Sequence, residues 1–297
     1  MQREKIVGLI SAPFTPMSDN GKIKIETIKP YADKLKADGL SGVFVCGTTG
    51  EGMLMTSEER KLVAEAWLKE QTPGFKVIVH VGSTSVEQSR LLAEHAQKNG
   101  AFGTGAMGPM FLKPAGINEL VDFCAKVASG ASDLPFYYYH IPSISGINFS
   151  MNDFLIEASS KIPNLAGIKF TDNNFMEMQK CVNLDKGKWD ILHGFDEMLL
   201  GGLSFGVKGA VGSTYNYAAP LYLEIFEAFK GGNIEKSRRL QLQSVELVDV
   251  LLKHGGALVA GKAIMKLVGV DCGPCRLPLR KISNETEQRL KKDLEQL

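Results

Sequence analysis

The chain has 297 residues, of which 44% are hydrophobic and 23% charged, and that length allows either two domains or one large α/β barrel with an appendage. Its 34 Lys and Arg stand against 33 Asp and Glu, a formal charge of +1, so there is no electrostatic case for nucleic acid or a membrane surface and a small molecule is the expected partner. The opening stretch does not read as a secretory signal, because the apolar run from Ile6 to Ile10 is short and is soon interrupted by Pro13 and Pro16, and no later run approaches a membrane span.

In chain order, short apolar runs bounded by Gly, Pro or polar turns predict strands at 7–12, 42–46, 76–81, 104–107, 136–139, 166–170, 191–193 and 209–212. A helix is expected after each. The clearest spans 57–70, where Val63, Ala66 and Trp67 share a face and Thr56 with Glu59 forms a capping box; others fit 87–99, 118–128, 151–159, 175–182 and 218–229. Eight strand–helix alternations predict a parallel sheet buried on both faces and closed into a (β/α)8 TIM barrel over residues 1–230. Beyond it the strands stop, and helical patterning at 234–254, 257–268 and 284–297 predicts a C-terminal helical appendage, residues 231–297, packed outside the barrel. Five scattered cysteines, Cys46, Cys124, Cys181, Cys272 and Cys275, suit a reducing compartment better than a disulfide framework, which points to the cytoplasm.

Active sites in such barrels lie at the C-terminal ends of the strands. The sixth strand carries Lys169 inside an apolar run, with Gly167, Lys169 and Thr171 on one face. A desolvated lysine attacks carbonyl carbon and forms an imine that serves as an electron sink; the bland alternative is a lysine that reaches solvent at a strand end. The fifth strand, Phe136-Tyr137-Tyr138-Tyr139-His140-Ile141-Pro142, neighbours it and ends with Tyr139 at a comparable depth, where a phenol can pass protons. Tyr137 and Tyr138 read as core and rim packing. Gly47-Thr48-Thr49-Gly50-Glu51-Gly52 leaves the second strand as a glycine-rich loop whose N–H groups and two hydroxyls could hold a carboxylate, or could be a structural turn. Asp196 and Glu197 come after the seventh strand, placed either to complement a helix dipole or to accept hydrogen bonds from a polyhydroxylated substrate, and Ser213 leaves the eighth in a small, polar segment.

Two motifs are set aside. Gly103-Thr104-Gly105-Ala106-Met107-Gly108 has dinucleotide-loop spacing but precedes Pro109 instead of a helix, so a nicotinamide cofactor is not expected. Cys272-Gly273-Pro274-Cys275 has no second pair to complete a zinc site and reads as two free thiols in a turn.

GTTGEG, YYYHIP, GIKFTD, GFDE and GAVGSTYN fall in order at successive strand exits, and with Thr15-Pro16 near the start and Gly273-Pro274 near the end they resemble, over nearly the whole chain, the pyruvate-dependent class I aldolases. That family includes N-acetylneuraminate lyases and dihydrodipicolinate synthases. The resemblance implies that Lys169 forms a Schiff base and Tyr139 manages proton transfer. It implies further that Thr48 and Thr49 bind a pyruvyl carboxylate, and that Thr171, Gly194, Asp196, Glu197 and Ser213 contact the sugar part of a sialic acid. It also implies a homotetramer and no need for a metal or organic cofactor. The segment after Tyr139 offers Ile144 where the synthases resemble one another in an arginine, and residues 109–114 contain no tyrosine, which favours N-acetylneuraminate cleavage. The alternative is another Schiff-base aldolase or dehydratase of the same family, such as dihydrodipicolinate synthase or a keto-deoxy-sugar-acid aldolase.

Overall fold

Strands that are apolar on both faces need cover on both faces, and a closed parallel sheet ringed by helices provides it. A computed structural model describes residues 4–297. Its strands are β1 (Gly8–Ser11), β2 (Gly42–Val45), β3 (Lys76–His80), β4 (Gly103–Ala106), β5 (Phe136–His140), β6 (Leu165–Phe170), β7 (Asp190–His193) and β8 (Gly209–Gly212). They pair in sequence order, all parallel, and β8 closes on β1. This is the TIM barrel that the strand–helix alternation predicts. The helix Ser57–Leu68 begins with the expected capping box, Thr56 and Glu59 satisfying each other's backbone N–H groups.

Strand parity separates two cores. Inside the barrel, Ile10, Phe44, Ile78, Tyr137, Tyr139, Ala166, Leu192 and Val211 pack on one another. Outside it, the alternate residues meet the surrounding helices in a larger cluster that includes Trp67, Tyr138, Phe154, Ile168 and Phe170. Tyr138 stacks on Phe154 with ring centres 4.6 Å apart, while Tyr137 points inward and donates to Asp190 Oδ2 at 3.0 Å, so both serve packing. The glycines of the set-aside G-x-G-x-x-G motif serve packing as well: a Cβ at Gly105 would lie 2.7 Å from the Phe44 ring and one at Gly108 would lie 2.5 Å from Ile147.

The C-terminal helices Ile234–Lys253, Gly256–Leu267 and Asn284–Leu294 come after the barrel. They do not simply lie on its outside. Val248, Leu251 and Leu252 of the first and Ala257 and Leu258 of the second form a roof over the C-terminal mouth. The helix Ile28–Ala37 follows β1 as the alternation expects, while two features depart from the sequence expectation: the single turn Pro142–Ser145 after β5, and the start of the helix Tyr215–Lys230, which begins before Ala218 and kinks there. All five cysteines are free. Among the described residues, no helix is long and apolar enough to cross a membrane.

Candidate active site

The parallel register of β5 and β6 sets Tyr139 opposite Lys169. Both side chains enter the barrel interior at its C-terminal end, and both are almost fully buried. Lys169 Nζ lies 4.1 Å from the centre of the Tyr139 ring and 4.5 Å from that of Phe44, two π faces that receive it in place of a counter-ion. Among the described residues no carboxylate pairs with it within ion-pair distance. Phe44 is a site residue that sequence reasoning misses, because in an apolar strand it looks like any core aromatic.

The β2 exit loop is wound tightly. Glu51 takes a left-handed conformation at φ 55°, its N–H donates to Thr48 O at 3.0 Å, and Gly52 N donates to Gly47 O at 3.0 Å. Gly52 is required, since a Cβ there would lie 1.8 Å from Cys46 O. The winding turns Thr48 and Thr49 into the mouth, and the Thr48 hydroxyl meets the Tyr139 phenol at 3.3 Å. The Tyr139 ring is also braced edge-on by His80, 5.9 Å away at 88°. His80 is fully buried, and that burial holds its pKa well below the ordinary histidine value, so it is a neutral wall at working pH.

On the opposite side, Thr171 follows the end of β6 and Gly194 the end of β7. A Cβ at Gly194 would lie 1.9 Å from Thr171 Oγ1, so the glycine makes room for that hydroxyl. Thr171 Oγ1 is buried without a protein partner, which in a cavity marks a group waiting for a ligand. Asp196 does not cap the helix beyond it. Its Oδ2 accepts from Thr214 N at 2.8 Å and Thr214 Oγ1 at 2.6 Å, tying the β7 and β8 exit loops together. Burial raises the Asp196 carboxyl above the usual aspartate range, opposed by those Thr214 bonds and by the Lys169 amine. Burial and, to a lesser degree, neighbouring Asp196 raise Glu197 as well. Asn216, in the first turn of the helix Tyr215–Lys230, holds the adjoining backbone by donating to Ala12 O and Ser213 O, both at 2.7 Å.

These elements enclose a cavity of about 280 Å³. Lys169, Tyr139, Thr48, Thr49, Thr171, Gly194, Asp196, Glu197 and Ser213, the whole set singled out from the sequence, line it together. The sequence pattern does not anticipate Thr214 or the apolar roof from Val248 to Leu258, whose contacts join helices remote in the chain. A larger cavity of about 430 Å³ lies away from the barrel mouth, between the β1 loop and the C-terminal helices, and contains none of these groups. Among the described residues, no cluster of His, Cys, Asp and Glu could hold a metal ion. The cavity thus combines one buried amine, one phenol in contact with a hydroxyl, and a polar wall of hydroxyls and carboxylates: a nucleophile, a proton carrier and a surface for a hydroxylated chain.

Comparison with known proteins gives a consistent picture. The sequence pattern of the dihydrodipicolinate synthetase family matches residues 5–297. N-acetylneuraminate lyase A of Xenopus laevis is 43% identical over 279 residues, covering 93% of this chain and 91% of that protein. The human N-acetylneuraminate lyase is 39% identical over 287 residues, covering 95% of this chain and 90% of its own. Among solved structures, the N-acetylneuraminate lyase (sialic acid aldolase) of Aliivibrio salmonicida superimposes with a TM-score of 0.96 at 40% identity, covering 99% of this chain and 97% of that one.

Proposed function

The chain belongs to the dihydrodipicolinate synthetase family, and from that premise we propose that it is an N-acetylneuraminate lyase, a class I aldolase that reversibly cleaves N-acetylneuraminate to N-acetylmannosamine and pyruvate. The observation that carries this reading is the pairing of Lys169 with Tyr139 at the floor of a cavity whose wall is Thr171, Asp196 and Glu197.

The Lys169 amine adds to the C2 ketone of the open-chain sugar acid, and loss of water leaves an iminium. Thr48 and Thr49 hold the adjacent carboxylate through hydroxyls and loop N–H groups. Removal of the C4 hydroxyl proton then breaks the C3–C4 bond, and the electron pair flows into the iminium to give an enamine. N-acetylmannosamine departs as the aldehyde; C3 is protonated, and water hydrolyses the imine to release pyruvate and the free lysine. Tyr139 handles the proton, with Thr48 at 3.3 Å as its hydrogen-bonded partner. Thr171, Gly194, Asp196, Glu197 and Ser213 receive the hydroxylated and N-acetyl end. The iminium supplies the electron sink, so the reading requires no metal or organic cofactor.

Five free cysteines accord with a cytoplasmic location. Exposed Phe111 and Leu112, apolar and close together, accord with assembly of the chain as a homotetramer. Borohydride trapping with pyruvate tests the chemistry: wild type is expected to gain one covalent adduct at Lys169 and Lys169→Ala none, whereas no adduct on the wild type would end the proposal. For the substrate, N-acetylneuraminate should release pyruvate far faster than 4-hydroxy-2-oxoglutarate or keto-deoxy-gluconate, and the opposite order would move the chain to another branch of the family.

A further inference from the structure

Glu51, between the carboxylate-binding threonines and the helix Ser57–Leu68, is enclosed on all sides and takes no part in the steps above. Its Oε1 pairs with Lys262 Nζ at 2.7 Å and its Oε2 accepts from Arg276 N at 2.7 Å. Lys262 is equally buried and donates a hydrogen bond to Pro274 O at 2.9 Å. The two partners belong to different elements that border the cavity, though neither side chain lines it. Glu51 belongs to the loop that presents Thr48 and Thr49, and Lys262 to the helix that contributes Ala257 and Leu258 to the roof.

The backbone explains why the loop needs such an anchor. A non-glycine residue at φ 55° persists only where its surroundings enforce it, and Glu51 donates its N–H to Thr48 O at 3.0 Å from that conformation. Anchoring the Glu51 side chain therefore fixes the carbonyl between the two threonines. Breaking a buried ion pair from one side strands the other charge, whereas a matched neutral replacement is tolerated far better, so position and fold can be tested separately.

We propose that the buried Glu51–Lys262 pair is a positioning clamp that sets Thr48 and Thr49 for the keto-acid carboxylate and registers their loop against the roof helix. The inference rests on the assignment of those two threonines to the carboxylate, and its test separates the two ideas.

Full-length Glu51→Gln, Lys262→Met and the double variant are assayed in the condensation direction, with pyruvate and N-acetylmannosamine as probes, and by borohydride trapping against pyruvate concentration. Thr49→Val serves as the reference. Half-saturating pyruvate should rise about tenfold or more in each clamp variant, with the KM for N-acetylmannosamine within about threefold of wild type. The double variant strands no buried charge and carries the test if a single variant fails to fold. A folded double variant with pyruvate half-saturation within about threefold of wild type, or an equal rise for both substrates, overturns the clamp. If Thr49→Val weakens pyruvate and the clamp variants do not, the clamp alone fails; if Thr49→Val changes nothing, the carboxylate assignment fails and the clamp with it.

Discussion

Gly194→Ala is a sharp probe of the wall proposed to receive the sugar. The added Cβ would sit 1.9 Å from Thr171 Oγ1, 2.8 Å from Thr171 Cβ and 3.0 Å from Phe170 O. The backbone oxygen cannot move without disturbing β6, so the Thr171 side chain must swing away. Overpacking of this kind costs about 1–3 kcal/mol. Withdrawing the hydroxyl from a substrate oxygen removes a further hydrogen bond of about 0.5–1.5 kcal/mol. The overpacking cost falls on folding stability, and the lost hydrogen bond on its own is a fall of roughly twofold to tenfold in kcat/KM. Thr171→Val removes only the hydroxyl and should lose about tenfold at most. Pyruvate release from N-acetylneuraminate, followed continuously, measures both variants. Trapping with pyruvate alone should stay close to wild type in each, because in the proposed mechanism this wall serves the part of the substrate that pyruvate lacks. Wild-type kcat/KM for Gly194→Ala, or an equal loss of pyruvate trapping, would refute the assignment of Thr171 and Gly194 to the sugar end.

Tyr139→Phe keeps the ring beneath Lys169 but deletes the phenol, so trapping with pyruvate should persist while turnover falls by about 10²–10⁴-fold; equal loss of both would contradict a proton-transfer role. His193 is buried against Phe175, and burial holds its pKa at about 4. The unfolded chain takes up that proton near the ordinary value of about 6.5. Stability should therefore climb as pH rises from about 4 to 6.5, by about 3 kcal/mol from this group, and His193→Phe should flatten that part of a denaturant-unfolding profile. An unchanged slope in the variant would place the acid sensitivity elsewhere.

The eight strands are legible in the sequence because each is a continuous apolar run between turn residues, and a doubly covered parallel sheet admits little else. Site residues on strand exits inherit that legibility. Once β5 and β6 are located, parity alone puts Tyr139 and Lys169 on the inner face, and the register sets them side by side. Local pattern fails where a residue's role depends on something distant. Phe44 is one more apolar strand residue until Gly105, on β4, leaves space for its ring. Val248 to Leu258 form amphipathic helices in any reading, but nothing local says that they reach back over the mouth of a barrel that ended before Asn233. Asp196 and Glu197 look alike in sequence, and only the fold gives Asp196 to Thr214 while Glu197 faces the cavity without such a tie.

That difference between the two acids bears on how one barrel can divide its labour. Asp196 spends one oxygen on the N–H and hydroxyl of Thr214, so its position is fixed by the β8 loop before any substrate arrives. Glu197 is half-buried and carries no such bond, so its carboxylate can adjust to what enters. A preset group holds the bound substrate in one geometry, since an oriented partner loses little freedom in the transition state, and an adjustable one tolerates variation along a flexible chain. Exchanges at Asp196 should therefore disturb kcat, because they loosen the β7 and β8 exit loops that frame the cavity. Exchanges at Glu197 should instead redistribute preference among substrates that differ in the tail of the sugar, with the Lys169–Tyr139 chemistry left intact.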